Sequence, residues 1–231
     1  MESPIVEALE AHPYYPLGVS IPKYVGNTMG AFNVVSTFCL GCGAIFAMTY
    51  LLAVRLRPAI HLYTLLLTFW RVLCGSIHLF FEGYFSYNHV DMAAKTDLFG
   101  QLWKEYSLSD SRYLTQDPFL VCMESITAFL WGPIAFFIAY ATVTDHHWRF
   151  PLQLIVSLGQ LYGLLLYYGI FWYNEFVNGV DFSRPERYYY WAYYVLCNAF
   201  WIFIPFCQIM YCAHTLADAY KKTKIPAKKH E

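Results

Sequence analysis

Charge is what this sequence has least of. Only 13% of its 231 residues are Asp, Glu, Lys or Arg, against about 25% in a typical soluble domain. Residues 24–54 carry none. The formal net charge of −1 leaves no global basic field, so nucleic acid is not an expected partner. Glycine loops that cradle phosphates, an HExxH pair and a Ser-His-Asp order are missing too, and no cofactor is expected. The seven cysteines are Cys39, Cys42, Cys74, Cys122, Cys197, Cys207 and Cys212, all in apolar stretches. Their odd count and spacing fit neither a disulfide framework nor a zinc site, so no metal is expected. Cys39 and Cys42 form a CxxC, which on an apolar helix reads as small packing residues. The amino-terminal stretch has no basic region followed by an early apolar run, so it does not read as a signal peptide.

What is present is apolar and aromatic: 58% hydrophobic residues and 20% aromatics. A membrane span needs about 20 apolar residues. Five stretches qualify, near 31–54, 61–85, 118–143, 150–173 and 188–213. The fold class is therefore an all-α membrane protein, five transmembrane helices in a single bundle with a ligand cavity within the membrane. Residues 1–29, rich in acids and prolines, read as an interfacial lead. Residues 30–215 hold the helical domain, and 216–231 form a basic tail. Asp117-Pro118 reads as a helix start, with the aspartate capping and the proline in the first turn. Five crossings put the amino terminus, the 86–117 segment and the 174–187 loop on one side, with six Lys/Arg against eleven Asp/Glu. The other side has eight Lys/Arg against three acids, which places it and the carboxyl terminus in the cytosol. Lys228 and Lys229 stand where a dilysine signal for retrieval to the endoplasmic reticulum would.

Against this apolar background a few ionisable groups stand out. Arg71, Gly75, His78 and Glu82 share one stripe of the second span at helical spacing. His78 and Glu82 are four apart and so are neighbours. Glu124 is the one charge of the third span, with Thr127 on its face. Asn198 and Trp201 share a face of the fifth span, and Gln153 and Gln160 share one of the fourth. Ionisable groups in hydrocarbon are costly, turn inward and mark function. Hydrogen bonding between helices accounts for Thr127 and Asn198 but needs no titrating groups. A histidine and two carboxyls in a dry pocket can move a proton, and an indole face can hold a cation. Proton in, cation held, proton out is a double-bond isomerisation. Aromatic walls suit a rigid hydrocarbon such as a sterol.

The same residues carry a resemblance. Cys74-Gly75-Ser76-Ile77-His78-Leu79-Phe80-Phe81-Glu82-Gly83-Tyr84-Phe85, Leu102-Trp103-Lys104-Glu105-Tyr106 and Asp110-Ser111-Arg112-Tyr113 resemble the emopamil-binding protein family. So do Cys122-Met123-Glu124-Ser125-Ile126-Thr127 through Pro133, Gly159-Gln160-Leu161-Tyr162-Gly163 and Asn198-Ala199-Phe200-Trp201. The matches run in order over about 70–205. The resemblance implies a five-helix EXPERA protein of the endoplasmic reticulum with sterol Δ8–Δ7 isomerase activity. It implies a sterol substrate, cationic amine inhibitors and a lipid bilayer as partners, and leaves a homodimer open. Carried over by position, His78, Glu82 and Glu124 look like the proton-handling set, with Glu124 and His78 as the acid/base pair and Glu82 tuning His78, or with the reverse allocation within the three, since coupled groups share protons. Thr127 and Asn198 look like polar support, Trp201 like the cation–π wall, and Tyr162 like a substrate contact. Two positions depart from the family. An apolar residue is usual where Arg71 stands, and some members have an acid where Leu164 stands. Arg71 is expected to snorkel toward the cytosolic interface, or else to bind a substrate carboxylate or phosphate, or to depress the pKa of Glu82 or Glu124. The competing readings are a non-catalytic sterol-binding EXPERA protein and an isomerase of another polycyclic terpenoid. A transporter is not favoured, because no inverted repeat is visible.

Overall fold

A computed structural model describes residues 12–224. Six helices organise them: α1 (Ala31–Leu56), α2 (Leu62–Asn88), α3 (Leu98–Tyr106), α4 (Pro118–Val143), α5 (Arg149–Val177) and α6 (Tyr189–Lys224). All but α3 are long and apolar enough to cross a membrane, and no strand occurs among the described residues. Their outer faces carry large apolar side chains such as Phe32, Phe129 and Phe203, which suit acyl chains rather than water. The chain is thus a multi-pass, all-helical membrane protein. Four of the expected spans lie within a few residues of the observed helices. The fifth runs on to Lys224, well past the expected end at 213, because nothing between Tyr211 and Lys224 breaks a helix once it has left the apolar layer. The dilysine pair lies outside the described residues.

Two of the helix starts are capped by an aspartate. Asp117 Oδ1 accepts from the Leu120 amide at 3.1 Å, and Pro118 fills the first helical position, where no amide partner is needed. Asp97 caps α3 in the same way, accepting from Phe99 and Gly100.

The polar stretch between α2 and α4 folds into a lid over one end of the bundle. It holds α3 and two short 3₁₀ turns, Met92–Ala94 and Ser111–Leu114. The lead from His12 to Gly30 is strapped across it. Tyr14 Oη donates to the Lys104 carbonyl at 3.0 Å, and Lys104 Nζ donates to the Val25 carbonyl at 2.5 Å. Gln101 Oε1 accepts from the Thr28 and Met29 amides at 3.0 and 2.9 Å. Asp110 and Arg112 form a buried two-pronged pair, 2.9 Å (Nε–Oδ1) and 2.7 Å (Nη2–Oδ2). The guanidinium lies 5.2–5.4 Å from the Tyr167, Phe171 and Phe182 rings. The carboxylate beside it holds the Arg112 guanidinium above its ordinary range, outweighing burial. Ser111 and Leu108 also bond the 182–184 backbone, so the 86–117 segment and the 174–187 loop share one end.

Three stretches of π-helix interrupt the spans: Ile77–Glu82 in α2, Thr127–Trp131 in α4 and Tyr189–Leu196 at the start of α6. π-turns are rare and cluster where function demands a re-aimed side chain. The first two face each other. A Cβ on Gly132 would lie 3.0 Å from the Leu79 backbone nitrogen, so glycine lets α4 touch the widened turn of α2.

Candidate active site

A cavity of about 360 Å³ opens beneath the lid, between α1, α2, α4, α5 and α6. That size falls in the range of about 300–1,000 Å³ for small-molecule sites. Trp103, Tyr106, Tyr113, Tyr167, Phe81 and Trp201 give it aromatic walls. Polar groups enter from few places: His78 and Glu82 from α2, Glu124 and Thr127 from α4, Gln160 from α5 and Asn198 from α6.

Most of these groups form one hydrogen-bonded chain. Tyr113 Oη donates to Glu124 Oε1 at 2.7 Å. Thr127 Oγ1 lies between the two carboxyls, donating to Glu82 Oε2 and standing 3.4 Å from Glu124 Oε2. Glu82 Oε2 also meets His78 Nδ1 at 2.6 Å. His78 Nε2 meets Gln160 Nε2 at 2.9 Å, and Gln160 Oε1 accepts from Arg71 Nη1 at 3.4 Å. Burial, with the Glu124 carboxyl second, pushes the Tyr113 phenol well above its ordinary range, so Tyr113 stays a proton donor to Glu124.

Expected site residues divide on this geometry. His78, Glu82, Glu124, Thr127, Asn198 and Trp201 all line the cavity. Asn198, however, does not support the carboxyls: its amide donates to Tyr106 Oη at 2.8 Å and the Tyr194 carbonyl at 2.7 Å. The Trp201 ring lies 5.1 Å from Trp70 and 6.4 Å from His78, with an unpartnered indole N–H among the described residues. Tyr162 is 64% exposed on the outer face of α5 and does not line the cavity. Two residues from Gln160 on a helix, it faces away from it. Arg71 does not snorkel. It is fully buried, and Nη2 donates to Ser157 Oγ at 2.6 Å, to the Gln153 carbonyl at 3.4 Å and to Gln208 Oε1. Four acceptors from α5 and α6 meet its two terminal nitrogens and hold the guanidinium inside the bundle, while Nε has no partner among the described residues. It does not line the cavity either, so it is not placed to meet a substrate's acidic group there. Leu164 is buried and lines the cavity.

Sequence reasoning missed Tyr113 and Gln160 as members of the chain of bonds. Gln160 was marked by its shared face with Gln153, and Tyr113 by its place in Asp110-Ser111-Arg112-Tyr113. Neither signal named a partner, since both contacts join distant segments.

The EXPERA (EXPanded EBP superfamily) family model matches residues 98–212. A rat protein named 3-beta-hydroxysteroid-Delta(8),Delta(7)-isomerase is 38% identical over 199 residues, 85% of each chain. The mouse protein of the same name is 37% identical over 84% of each chain. An isomeliandiol synthase of Ailanthus altissima is 36% identical over 61% of this chain and 65% of its own. With relatives of this similarity along most of its length, the chain belongs to the emopamil-binding protein family of the EXPERA superfamily.

Proposed function

We propose that the chain is a sterol Δ8–Δ7 isomerase that moves a ring double bond by protonation, carbocation formation and deprotonation. The observation that carries this reading is the hydroxyl of Thr127 between two carboxyls in an aromatic cavity. Thr127 Oγ1 is within hydrogen-bond reach of Glu82 Oε2, of the Glu124 carbonyl at 2.9 Å and of Glu124 Oε2 at 3.4 Å, and Glu82 also faces His78 Nδ1. With Thr127 Oγ1 and His78 Nδ1 both beside it, Glu82 serves in this reading as the proton acceptor. Two carboxyls this close do not both ionise, so Glu124 keeps a proton beside Tyr113 and Thr127. One carboxyl poised to give a proton and one poised to take one is the arrangement an isomerisation needs.

In this reading Glu124 protonates carbon 9 of the sterol, a cation forms at carbon 8, and a proton leaves carbon 7. One proton enters and one leaves, so no electrons need an external acceptor. Both nitrogens of His78 are engaged, by Glu82 and Gln160. That supports Glu82 as the base and His78 as the group that orients it, the reverse of the first allocation expected from sequence. The Trp201 face holds the positive charge and does not attack it. Cationic amines would bind here as mimics of the cation. Relatives named as sterol isomerases support a site in the endoplasmic reticulum membrane, and the distribution of Lys and Arg supports the 1–29 lead at the lumenal interface and the basic 216–231 tail in the cytosol.

A second reading, an isomerase of another polycyclic terpenoid, is favoured by the relative named isomeliandiol synthase. One experiment separates these. The purified protein is given a Δ8-sterol and, separately, a tetracyclic triterpenoid in deuterated water. Δ7-sterol carrying deuterium at carbon 9 is expected. Turnover of the triterpenoid alone would move the assignment to the second reading, and Δ7-sterol without solvent deuterium would sink the protonation mechanism.

A further inference from the structure

Arg71 is a cation at membrane depth with no carboxylate within ion-pair distance among the described residues. Its partners are four neutral acceptors, one of them Gln160 Oε1. A guanidinium only donates, so the amide atom facing it must be the oxygen. The opposite amide orientation would set donor against donor. The NH₂ of Gln160 therefore faces His78 Nε2, at 2.9 Å. An NH₂ also only donates, so Nε2 must offer a lone pair. The single ring proton is then left on Nδ1, 2.6 Å from Glu82 Oε2.

From this chain we propose that Arg71, acting through Gln160, is a positioning residue that holds His78 as the neutral imidazole protonated on Nδ1. Arg71 does not itself line the cavity; it works by fixing which way one amide points. The imidazole that results gives Glu82 a donor without giving it a proton-sharing cation. Glu82 is left as the acceptor that the proposed isomerisation requires, and the inference rests on that reading for its catalytic consequence alone. The other ionisable groups near the ring are the buried Cys74 thiol and Glu82 on its own helix and Glu124 on α4, reached through Thr127. From α6 the neighbour is the uncharged Trp201 ring.

The test reads the ring directly. The full chain is labelled with ¹⁵N-histidine in lipid nanodiscs at neutral pH, and the His78 signals are assigned with His78→Asn. One protonated nitrogen, Nδ1, and one bare nitrogen, Nε2, are expected in the wild type. Gln160→Glu keeps the size and a partner for Arg71, but a carboxylate facing Nε2 accepts rather than donates. Both ring nitrogens should then carry protons. Arg71→Met releases the amide and should also let Nε2 acquire a proton, while Arg71→Lys, still a donor, should keep the single-proton ring. A wild-type ring protonated on Nε2, or a ring in Gln160→Glu that stays singly protonated, would overturn the proposal. A ring in Arg71→Met that stays singly protonated on Nδ1 would overturn the role of Arg71, and should that variant fail to fold, Arg71→Gln, which frees the amide while keeping a polar side chain, is read in its place. These spectra need no substrate. A wild type that turns over no sterol would sink the functional reading and leave the assignment of the ring standing.

Discussion

Glu124 and Trp201 face the same cavity but owe it different chemistry. Glu124→Gln keeps size and polarity and the bond from Tyr113, but it cannot give up a proton. General acids contribute roughly 10²–10⁴ in rate, so sterol turnover by the purified variant should fall within that range. Near-normal turnover would remove Glu124 from the mechanism. Trp201 is a matter of charge. A cation held against an indole in a dry site gains on the order of 2 kcal/mol, and each 1.36 kcal/mol is about tenfold in rate. Trp201→Leu should slow turnover by at least ~10-fold, with Trp201→Phe between. The same variant should weaken a cationic amine more than a neutral sterol, read as two dissociation constants. Equal losses would mean that Trp201 only fills space.

At the scale of elements, the apolar run lengths made the five spans legible, and the Asp117-Pro118 start fell where it was read. The π-turns were not legible. A steady period of about 100° per residue assumes one hydrogen-bond ladder, and the shift to a wider ladder is decided by tertiary contact. Arg71 was misread for a related reason. Its stripe on α2 was visible, but its acceptors Gln153, Ser157, Gln160 and Gln208 come from two other helices. A single-helix view sends such a charge to water. The lid was seen only as a polar stretch, because the partners of Lys104 and Asn27 lie more than 70 residues away. The crossing of the two π-turns can be tested. A Cβ at position 132 would meet Leu79 N at 3.0 Å and Leu79 Cβ at 3.1 Å, and the backbone cannot step aside cheaply. Overpacking of this kind costs about 1–3 kcal/mol. Gly132→Ala should lower the thermal midpoint in detergent and reduce turnover, since Leu79 sits between His78 and Glu82. Gly169→Ala, with nothing within 4 Å of its Cβ, should do neither.

At the scale of the whole molecule, the two ends of the bundle differ in charge, and the folded chain keeps each set together. Arg57 Nη1 donates to the Val143 carbonyl at 3.5 Å, which joins the loop after α1 to the end of α4. At the other end the Ser111 amide donates to the Phe182 carbonyl at 3.1 Å, and the Arg184 amide to the Leu108 carbonyl at 3.0 Å. The basic end holds Arg55, Arg57, Arg149, Lys221, Lys222 and Lys224, and excess Lys and Arg marks the cytosolic side. The lid and the lead would then face the lumen. His147, exposed beyond α4, and Asn178, exposed beyond α5, report on opposite ends. Several native cysteines, Cys122 among them, are exposed, so all seven are first replaced by alanine. In sealed microsomes, with the cytosolic face outward, a membrane-impermeant maleimide should label His147→Cys at once. Asn178→Cys should be labelled only after the vesicles are opened with detergent. The reverse pattern would invert the topology and put the basic tail in the lumen, where a dilysine signal could not be read. Labelling of both variants in sealed vesicles would contradict an odd number of crossings between the amino terminus and the carboxyl terminus, because α5 alone separates the two positions.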